Sequence, residues 1–534
     1  MRGRGSSSLL VALVWLLLAP AAYARPGDLD AGFGNGGIVD FITPDDKAIT
    51  AGAPIALQPD GKVIVLGQDS GGTGSVLLER FGADGRLDST FGNGGVVLTD
   101  VGLSQGETPA LARQPDGRIL VAGRYTSYPD NHEHAVLVRY QADGRLDDSF
   151  GSGGKVVRPG GGAQAIALEP DGRILIGTRS DSSGAEVVRF KPNGVIDPSF
   201  GSGGAETFTF GGDITWMTLQ SDGRILFGDG WMVRLQPNGG LDDSFGDHGQ
   251  AQMPEPSGAV MQAVEQGDGR IVVAGRTADP YEMRVWRLMP DGSGDASFGG
   301  TGGVAIPATA GTTQYNPPQN QALAVAVQSN GDVLATGANL DGDRGAPTSL
   351  ETVRLTPAGQ LDPSFGDGGR VLTPLAHVQN GIADAIALQP DGNVMIGAFG
   401  AGDGTGHIVL ARYEGDPPGA NPQPAPGTPT QTTATTSSPS PSPSRRPVSL
   451  SIAVAHGQTL RSIRRHGLVI SVKASRRGSV RIDAGRAHKA IRVRGGNARR
   501  VVLRPAVSRY LMVRARLRAG GKTLASVSRR VHLR

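Results

Sequence analysis

The chain has 534 residues, too long for one ordinary domain of roughly 100 to 200 residues, and its 82 glycines and 36 prolines approach the composition of a disordered chain without reaching it. There is no cysteine, which excludes disulfide scaffolds, thiolate zinc sites, iron–sulfur clusters and cysteine nucleophiles. The net charge of +3 conceals an asymmetry: residues 448–534 hold 22 of the 52 Lys and Arg but a single acid, Asp483, so everything before them is acidic. Opposite signs in two segments imply different partners, or each other.

In chain order, Arg2 and Arg4 precede an apolar run from Leu9 to Ala19, and Ala22-Tyr23-Ala24 has the small-x-small pattern of a signal-peptidase site. Residues 1–24 are therefore read as a secretory leader cleaved before Arg25. The run is shorter than the roughly 20 residues a spanning helix needs, Pro20 interrupts its end, and no later segment is long and apolar enough to serve. The expected location is secreted, extracellular or associated with the cell envelope, with no integral membrane segment after cleavage.

Residues 25–414 repeat. A turn of the Gln-Pro-Asp-Gly type followed by an apolar run recurs at Asp60, Asp116, Asp171, Asp222, Asp268, Asn330 and Asp391. A second signature, Leu-Asp-x-x-Phe-Gly, recurs at Phe33, Phe91, Phe150, Phe200, Phe245, Phe298 and Phe365, about 55 residues apart, the length of a four-stranded propeller blade. In the third unit the strands read Lys155–Val157, Ala165–Leu168, Ile174–Ile176 and Glu186–Phe190, each short, rich in Val, Ile and Leu, and bounded by turn residues. The chain opens with the tail of a unit, Leu29 to Gly34, and the repeats stop after Tyr413 where that tail is missing. The N-terminal segment can therefore complete the last blade and remove the open sheet edges. The expected fold is all-β: a seven-bladed β-propeller with ring closure by the N-terminal segment.

One pairing follows from the spacing. The last strand of each unit carries an Arg, and eight residues on stands the Asp of the tail: Arg80 with Asp88, Arg139 with Asp147, Arg189 with Asp197, and so on to Arg412, whose partner would be Asp30 across the seam. Bidentate Arg–carboxylate pairs are expected as a repeated structural staple, and the seven Phe as anchors of blade against blade.

Residues 53–62, Ala-Pro-Ile-Ala-Leu-Gln-Pro-Asp-Gly-Lys, and 82–92, Gly-Ala-Asp-Gly-Arg-Leu-Asp-Ser-Thr-Phe-Gly, resemble the bacterial delta-sixty repeat of secreted proteins. That resemblance, covering 29 to about 413, implies a propeller and an extracellular setting; it brings no reaction and no catalytic residues.

The two signatures fall on one face of such a ring, and the irregular connections, 124–135, 306–320, 338–350, 373–382 and 398–406, on the other. Insertions confined to one face mark a binding surface. Its candidate contacts are Tyr125, Tyr128, His132, His134, Tyr315, Arg344, His377 and His407. His132-x-His134 and Asp341-x-Asp343 are too isolated to define a metal site, so no metal, cofactor or catalytic residue is assigned. Nucleophile-elbow, phosphate-loop and zinc-helix motifs are all missing from the sequence.

Residues 415–447 form a Pro/Ser/Thr-rich linker. Residues 448–534 read as a small basic β-sandwich, with apolar Leu511, Val513, Ala515 and Leu517 alternating with Arg514, Arg516 and Arg518, and Ile491 and Val493 with Arg492 and Arg494. The run Leu460–Ser475 is similar to small C-terminal modules of secreted actinobacterial proteins. Those five arginines are the candidate contacts for an anionic cell-wall or extracellular polymer. Nucleic acid is disfavoured as the ligand because Tyr510 is the only aromatic there, too few for a stacking platform. The functional expectation is a non-enzymatic binding or scaffold protein, its propeller face meeting a protein or glycan; the alternative is an extracellular hydrolase or lyase acting on carbohydrate or lactone.

Overall fold

The computed structural model describes residues 24–42, 52–68, 74–104, 109–127, 132–179, 184–209, 213–251, 253, 259–278, 282–308, 320–339, 349–375, 378–402, 405–416 and seven strands between 450 and 532. Contacts divide the chain after Ala425 into two units. Among the described residues there is no helix long and apolar enough to cross a membrane.

The first unit is a seven-bladed β-propeller of four-stranded antiparallel sheets. Blade 3 is representative: Ala163–Leu168, Ile174–Arg179, Ala185–Phe190 and Ala205–Phe208 follow one another from the inside outward. The first strands of successive blades neighbour one another all the way round, so they form the inner ring. Middle strands are buried on both faces, as in Val63–Gln68 and Ser75–Phe81, which is why they read as unbroken apolar runs rather than as alternations.

The repeat in the sequence is offset from the blade by one strand. Lys155–Pro159, read above as the first strand of unit three, pairs with Glu133–Tyr140 and is the outer strand of blade 2. Each arginine of the staple therefore sits on the third strand of its blade, not the fourth. The turn signatures still share one face, because the shift moves both by the same step.

Closure is made by the N-terminal segment. Ile38–Phe41 pairs antiparallel with Thr405–Tyr413, Ile38 opposite Ala411 and Phe41 opposite Ile408, and so supplies the outer strand of blade 7. A tight turn is cut at this seam. In blade 1 the third strand turns into the tail through Gly82 to Arg86, with Gly85 N–H donating to Gly82 O (2.9 Å) and Gly82 N–H to Arg86 O (2.7 Å). In blade 7 the same bonds run between the two ends of the repeat region: Gly27 N–H to Glu414 O (2.8 Å) and Glu414 N–H to Asp28 O (2.8 Å). The pairing energy of the turn is recovered without the peptide bond.

The blades are joined by one repeated backbone bond. The Gly after each tail Phe donates to a turn carbonyl of the next blade: Gly34 to Asp84, Gly92 to Asp143, Gly151 to Asn193, Gly201 to Asn238, Gly246 to Asp291, Gly299 to Ala358, and Gly366 to Pro26. The residue after each acceptor is a glycine with positive φ; at Gly27 (φ +91°) a Cβ would lie 2.6 Å from the Gly366 nitrogen, so the close approach of blades requires glycine there. All seven tail Phe are 0% exposed, and burial of each contributes about 1.5–3 kcal/mol.

In the second unit, Leu450–Val454, Leu468–Ala474 and Ala498–Leu503 form one sheet. Ala487–Val493, Gly478–Ala484, Tyr510–Ala519 and Lys522–His532 form another, in that order.

Candidate functional site

The propeller separates a regular face from an irregular one. On the regular face each staple arginine is fully partnered. Arg139, 5% exposed, donates from Nε to Asp147 Oδ2 (2.7 Å), from Nη2 to Ser149 Oγ (3.3 Å) and from Nη1 to the Pro192 carbonyl of blade 3 (2.5 Å). Arg80, Arg189, Arg234 and Arg287 repeat the pattern with Asp88, Asp197, Asp242 and Asp295. Each guanidinium, including those of Arg354 and Arg412, lies 4.2–4.9 Å from the centre of the tail Phe ring.

The two-bond fork expected on each carboxylate is thus corrected in these blades. One nitrogen meets the carboxylate, one a hydroxyl and one the neighbouring blade, because the other carboxylate oxygen already accepts from the Ser or Thr two residues on, as Asp147 Oδ1 does from Ser149 Oγ (2.6 Å). Arg412 differs. Blade 7 has Gly32 where others have Ser or Thr, and Arg412 Nε and Nη2 both turn to Asp30 Oδ2 (2.7 and 2.6 Å).

Sequence reasoning missed a second cation. Lys62, Arg118, Arg173, Arg224 and Arg270 stand two residues after the turn Asp and reach the staple carboxylates Asp88, Asp147, Asp197, Asp242 and Asp295 at 2.8–3.6 Å. The signal was visible as a basic residue at one position in five of seven units; blades 6 and 7 have Asp332 and Asn393 there. Burial by itself would raise the Asp88 carboxyl, but the Thr90 hydroxyl and amide, Lys62 and the Arg80 charge hold it well below the usual range. Asp147, Asp197, Asp242 and Asp295 are likewise lowered against their burial, by hydrogen bonds from the following Ser and by their arginines. The staple arginines of this face are saturated, while the turn residues Gln58, Gln114, Gln220, Gln266 and Gln389 each keep a buried Oε1 without a hydrogen bond, and an open 480 Å³ cleft lies between Gln114, Arg118, Asp171 and Asn193.

The irregular face brings together part of the expected contact set. Ile119–Thr126 and Glu133–Tyr140 pair so that Tyr125 lies opposite His134, their rings stacked at 5.6 Å. His134 Nε2 is 3.1 Å from Ser127 Oγ, while its Nδ1 is buried without a hydrogen bond. His132 is exposed beside them, and Arg124 Nη1 donates to Glu133 Oε1 (2.9 Å). The Arg124 stem runs 2.5 Å from where a Cβ on Gly162 would stand, so that glycine makes its room. Nearby, Arg158 of blade 2 grips Glu186 of blade 3 with two bonds (2.8 and 2.9 Å) beside an open 460 Å³ cleft. The cleft is lined further by Glu206 and Thr207 and by Ile196, Ser202, Gly203 and Gly204, so it runs along the outer edge of blade 3 as far as the tail signature of the regular face.

The other expected contacts are not joined to these. His407 is corrected to a packing residue: it is 3% exposed, with Nδ1 2.7 Å from Asp40 Oδ1, because the N-terminal strand seals the side of blade 7 on which it lies. Tyr128, Tyr315, Arg344 and His377 lie outside the described residues. Among the described residues no cluster of three or more His, Asp or Glu could hold a metal ion. The inner-ring strands carry two carboxylates, Glu265 and Asp384. Glu265 accepts from Gln220 Nε2 (3.1 Å) and Ser221 N–H (2.6 Å), and Asp384 from Ala53 N–H (3.2 and 3.1 Å), with burial pushing the Asp384 carboxyl up to about 7.

In the second unit the register puts Arg518 and Arg492 on either side of Ser479, Arg516 opposite Arg481, and Arg514 opposite Asp483. These arginine positions share one face of the four-stranded sheet. Arg494 lies outside the described residues.

Fold and saturated staples together define a β-propeller. Four stretches, 58–91, 114–150, 169–200 and 266–298, match a family model described as a domain of unknown function (DUF5122) beta-propeller. No curated protein matches the chain. Among solved structures the chain is similar to the extracellular domain of BT4673, described as a hybrid two component system from B. thetaiotaomicron (TM-score 0.38, 11% identity, 94% of this chain), of whose length it spans 58%. It is also similar to the PQQ-bound aldose sugar dehydrogenase of Streptomyces coelicolor (TM-score 0.36, 14% identity, 59% of this chain and 97% of that one). A third likeness is to the propeller domain of the Trilobed protease of Pyrococcus furiosus (TM-score 0.37, 10% identity, 68% and 96%).

Proposed function

We propose that the chain is an exported, non-enzymatic binding or scaffold protein. Its repeats are of the delta-sixty type, its leader is removed before Arg25, and its propeller presents the irregular face to an extracellular protein or glycan. The basic C-terminal segment, a small β-sandwich beyond the 415–447 linker, contacts an anionic polymer of the envelope. The observation that carries the reading is the difference between the faces: buried, saturated staple arginines on one, and on the other the exposed or half-buried Tyr125, His132 and His134. The inner ring's two carboxylates, each tied to a neighbouring blade, favour this reading over a hydrolase or lyase, which would gather several acids at one point.

The test is sedimentation of the full chain with bacterial envelopes and with purified anionic polymer as salt is raised. Retention that falls with salt and is lost when Arg492, Arg514, Arg516 and Arg518 become Gln supports the polymer contact. Salt-insensitive retention, unchanged by those substitutions, sinks it.

A further inference from the structure

The cut turn of blade 7 shows which residue is the first to belong to the ring. Pro26 fills the acceptor position held elsewhere by Asp84, Asp143 or Asn193, and Gly27 fills that of Gly85. Arg25 stands one place earlier, where in the other blades a residue such as Ala83 offers its carbonyl to a staple arginine. Arg25 does not do this. Its carbonyl accepts from Asp28 N–H (2.9 Å), and Arg354 instead takes the Asp416 carboxylate (3.1 and 3.0 Å). The Arg25 main-chain nitrogen, freed from any repeat role, points at Asp28 Oδ2, 2.7 Å away.

We propose that leader cleavage between Ala24 and Arg25 makes a lock for the ring: the new α-ammonium of Arg25 pairs with the Asp28 carboxylate and holds the cut turn closed. In the uncleaved chain the same nitrogen is an amide and gives Asp28 a neutral hydrogen bond; hydrolysis of the Ala24–Arg25 peptide turns it into a charged donor at the same place, a stronger bond. The surroundings call for a cation. Asp28, Asp30, Glu414, Asp416, Asp332 and Asp391 crowd the seam against Arg412 and Arg354. The Glu414 carboxyl is raised by burial first and then by Asp30, Asp391 and Asp28, and that of Asp332 by burial first and then by Asp362 and Asp416. No other turn of the ring has a free chain end to offer, so the lock is confined to the one place where continuity of the chain is missing.

The inference rests on the leader reading proposed above, and the two fail differently. The intact mass of the exported chain comes first. A start at Arg25 is expected; a chain that keeps residues 1–24 overturns both readings, and a start at any other residue overturns the lock alone. Hydrogen exchange is then followed at the seam amides of Gly27, Glu414 and Gly366 in two chains, one beginning at Arg25 with a free amine and one with Gly-Ser ahead of it. The free amine is expected to slow exchange about two- to fivefold, and Asp28→Asn to remove that difference. Equal exchange in the two chains, or a difference that survives Asp28→Asn, overturns the lock while leaving cleavage intact.

Discussion

The joints between blades 1 to 5 and the seam where blade 7 meets its neighbours are built from the same parts, yet they are not equivalent. At the regular joints a buried arginine holds its own blade's carboxylate, its tail Phe and the next blade's carbonyl, and a second cation closes the network. At the seam the turn is cut, the second cation is replaced by Asp332 and Asn393, and an unpaired acid is buried. Glu79 alternates with Leu77 and Phe81 on the strand face that packs against Met395, Ile408 and Leu410 of blade 7; it is 0% exposed, and neither carboxylate oxygen has a hydrogen bond. The same position holds Val138, Val188, Val233 and Val353 in other blades. Repetition secures five joints; the two that blade 7 makes depend on the chain ends, and it is there that charge is out of balance.

The comparison can be broken from the largest effect downward. Deleting residues 25–42 takes away the outer strand and half the cut turn, and cooperative thermal unfolding of the propeller is expected to disappear; a sharp transition at an unchanged temperature would show that closure is dispensable. Arg139→Met leaves Asp147 at a regular joint with Arg118 as its one cation and Ser149 as its hydrogen-bond donor, strips the Pro192 carbonyl of its partner, and is expected to cost about 3–5 kcal/mol in denaturant unfolding. A cost below about 1 kcal/mol would reduce the staples to ornament.

Glu79→Val acts in the opposite direction. Burial pushes the Glu79 carboxyl up to about 8 from 4.5. A carboxyl more readily protonated in the folded chain than in the unfolded one loses stability as pH rises from 4.5 to about 8 and no further beyond, so the penalty is largest in mild alkali. Glu79→Val is therefore expected to add a few kcal/mol at pH 9, very little at pH 4, and to flatten the pH profile between them. Glu79→Gln should flatten the profile too while keeping an unsatisfied amide in the core. A wild-type profile already flat from pH 5 to 8 would contradict the buried, unpaired state. Smallest is Asp332→Arg, which supplies blade 6 with the cation five blades have; about 1 kcal/mol of stabilisation is expected from thermal melts at neutral pH, and none once Asp362 is also changed to Asn.

Much of this was legible in the residues. The recurring Pro-Asp-Gly turns and Leu-Asp-x-x-Phe-Gly tails are local signals, because a turn needs its Asp and Gly whatever surrounds it. The constant spacing of Arg and Asp forecast their meeting, since eight residues across one hairpin-like connection fix the distance. The phase of the blade was less visible: an outer strand looks alike whether it ends one blade or begins the next, and only pairing of Lys155–Pro159 with Glu133–Tyr140 decides it. Residue by residue the irregular face was less legible. His407 looked like a loop contact and is sealed by a strand 367 positions away in sequence.

By itself, then, the sequence determined the all-β class, the seven repeats and the need for an N-terminal closing strand, because all three follow from short-range turn chemistry and counting. Tertiary structure alone decided where each guanidinium nitrogen goes, which glutamate is buried without a partner and how the cut turn is rejoined. Those outcomes depend on what an adjacent blade presents across a joint, and residues 50 or 380 positions apart leave no local trace of one another until the ring has closed.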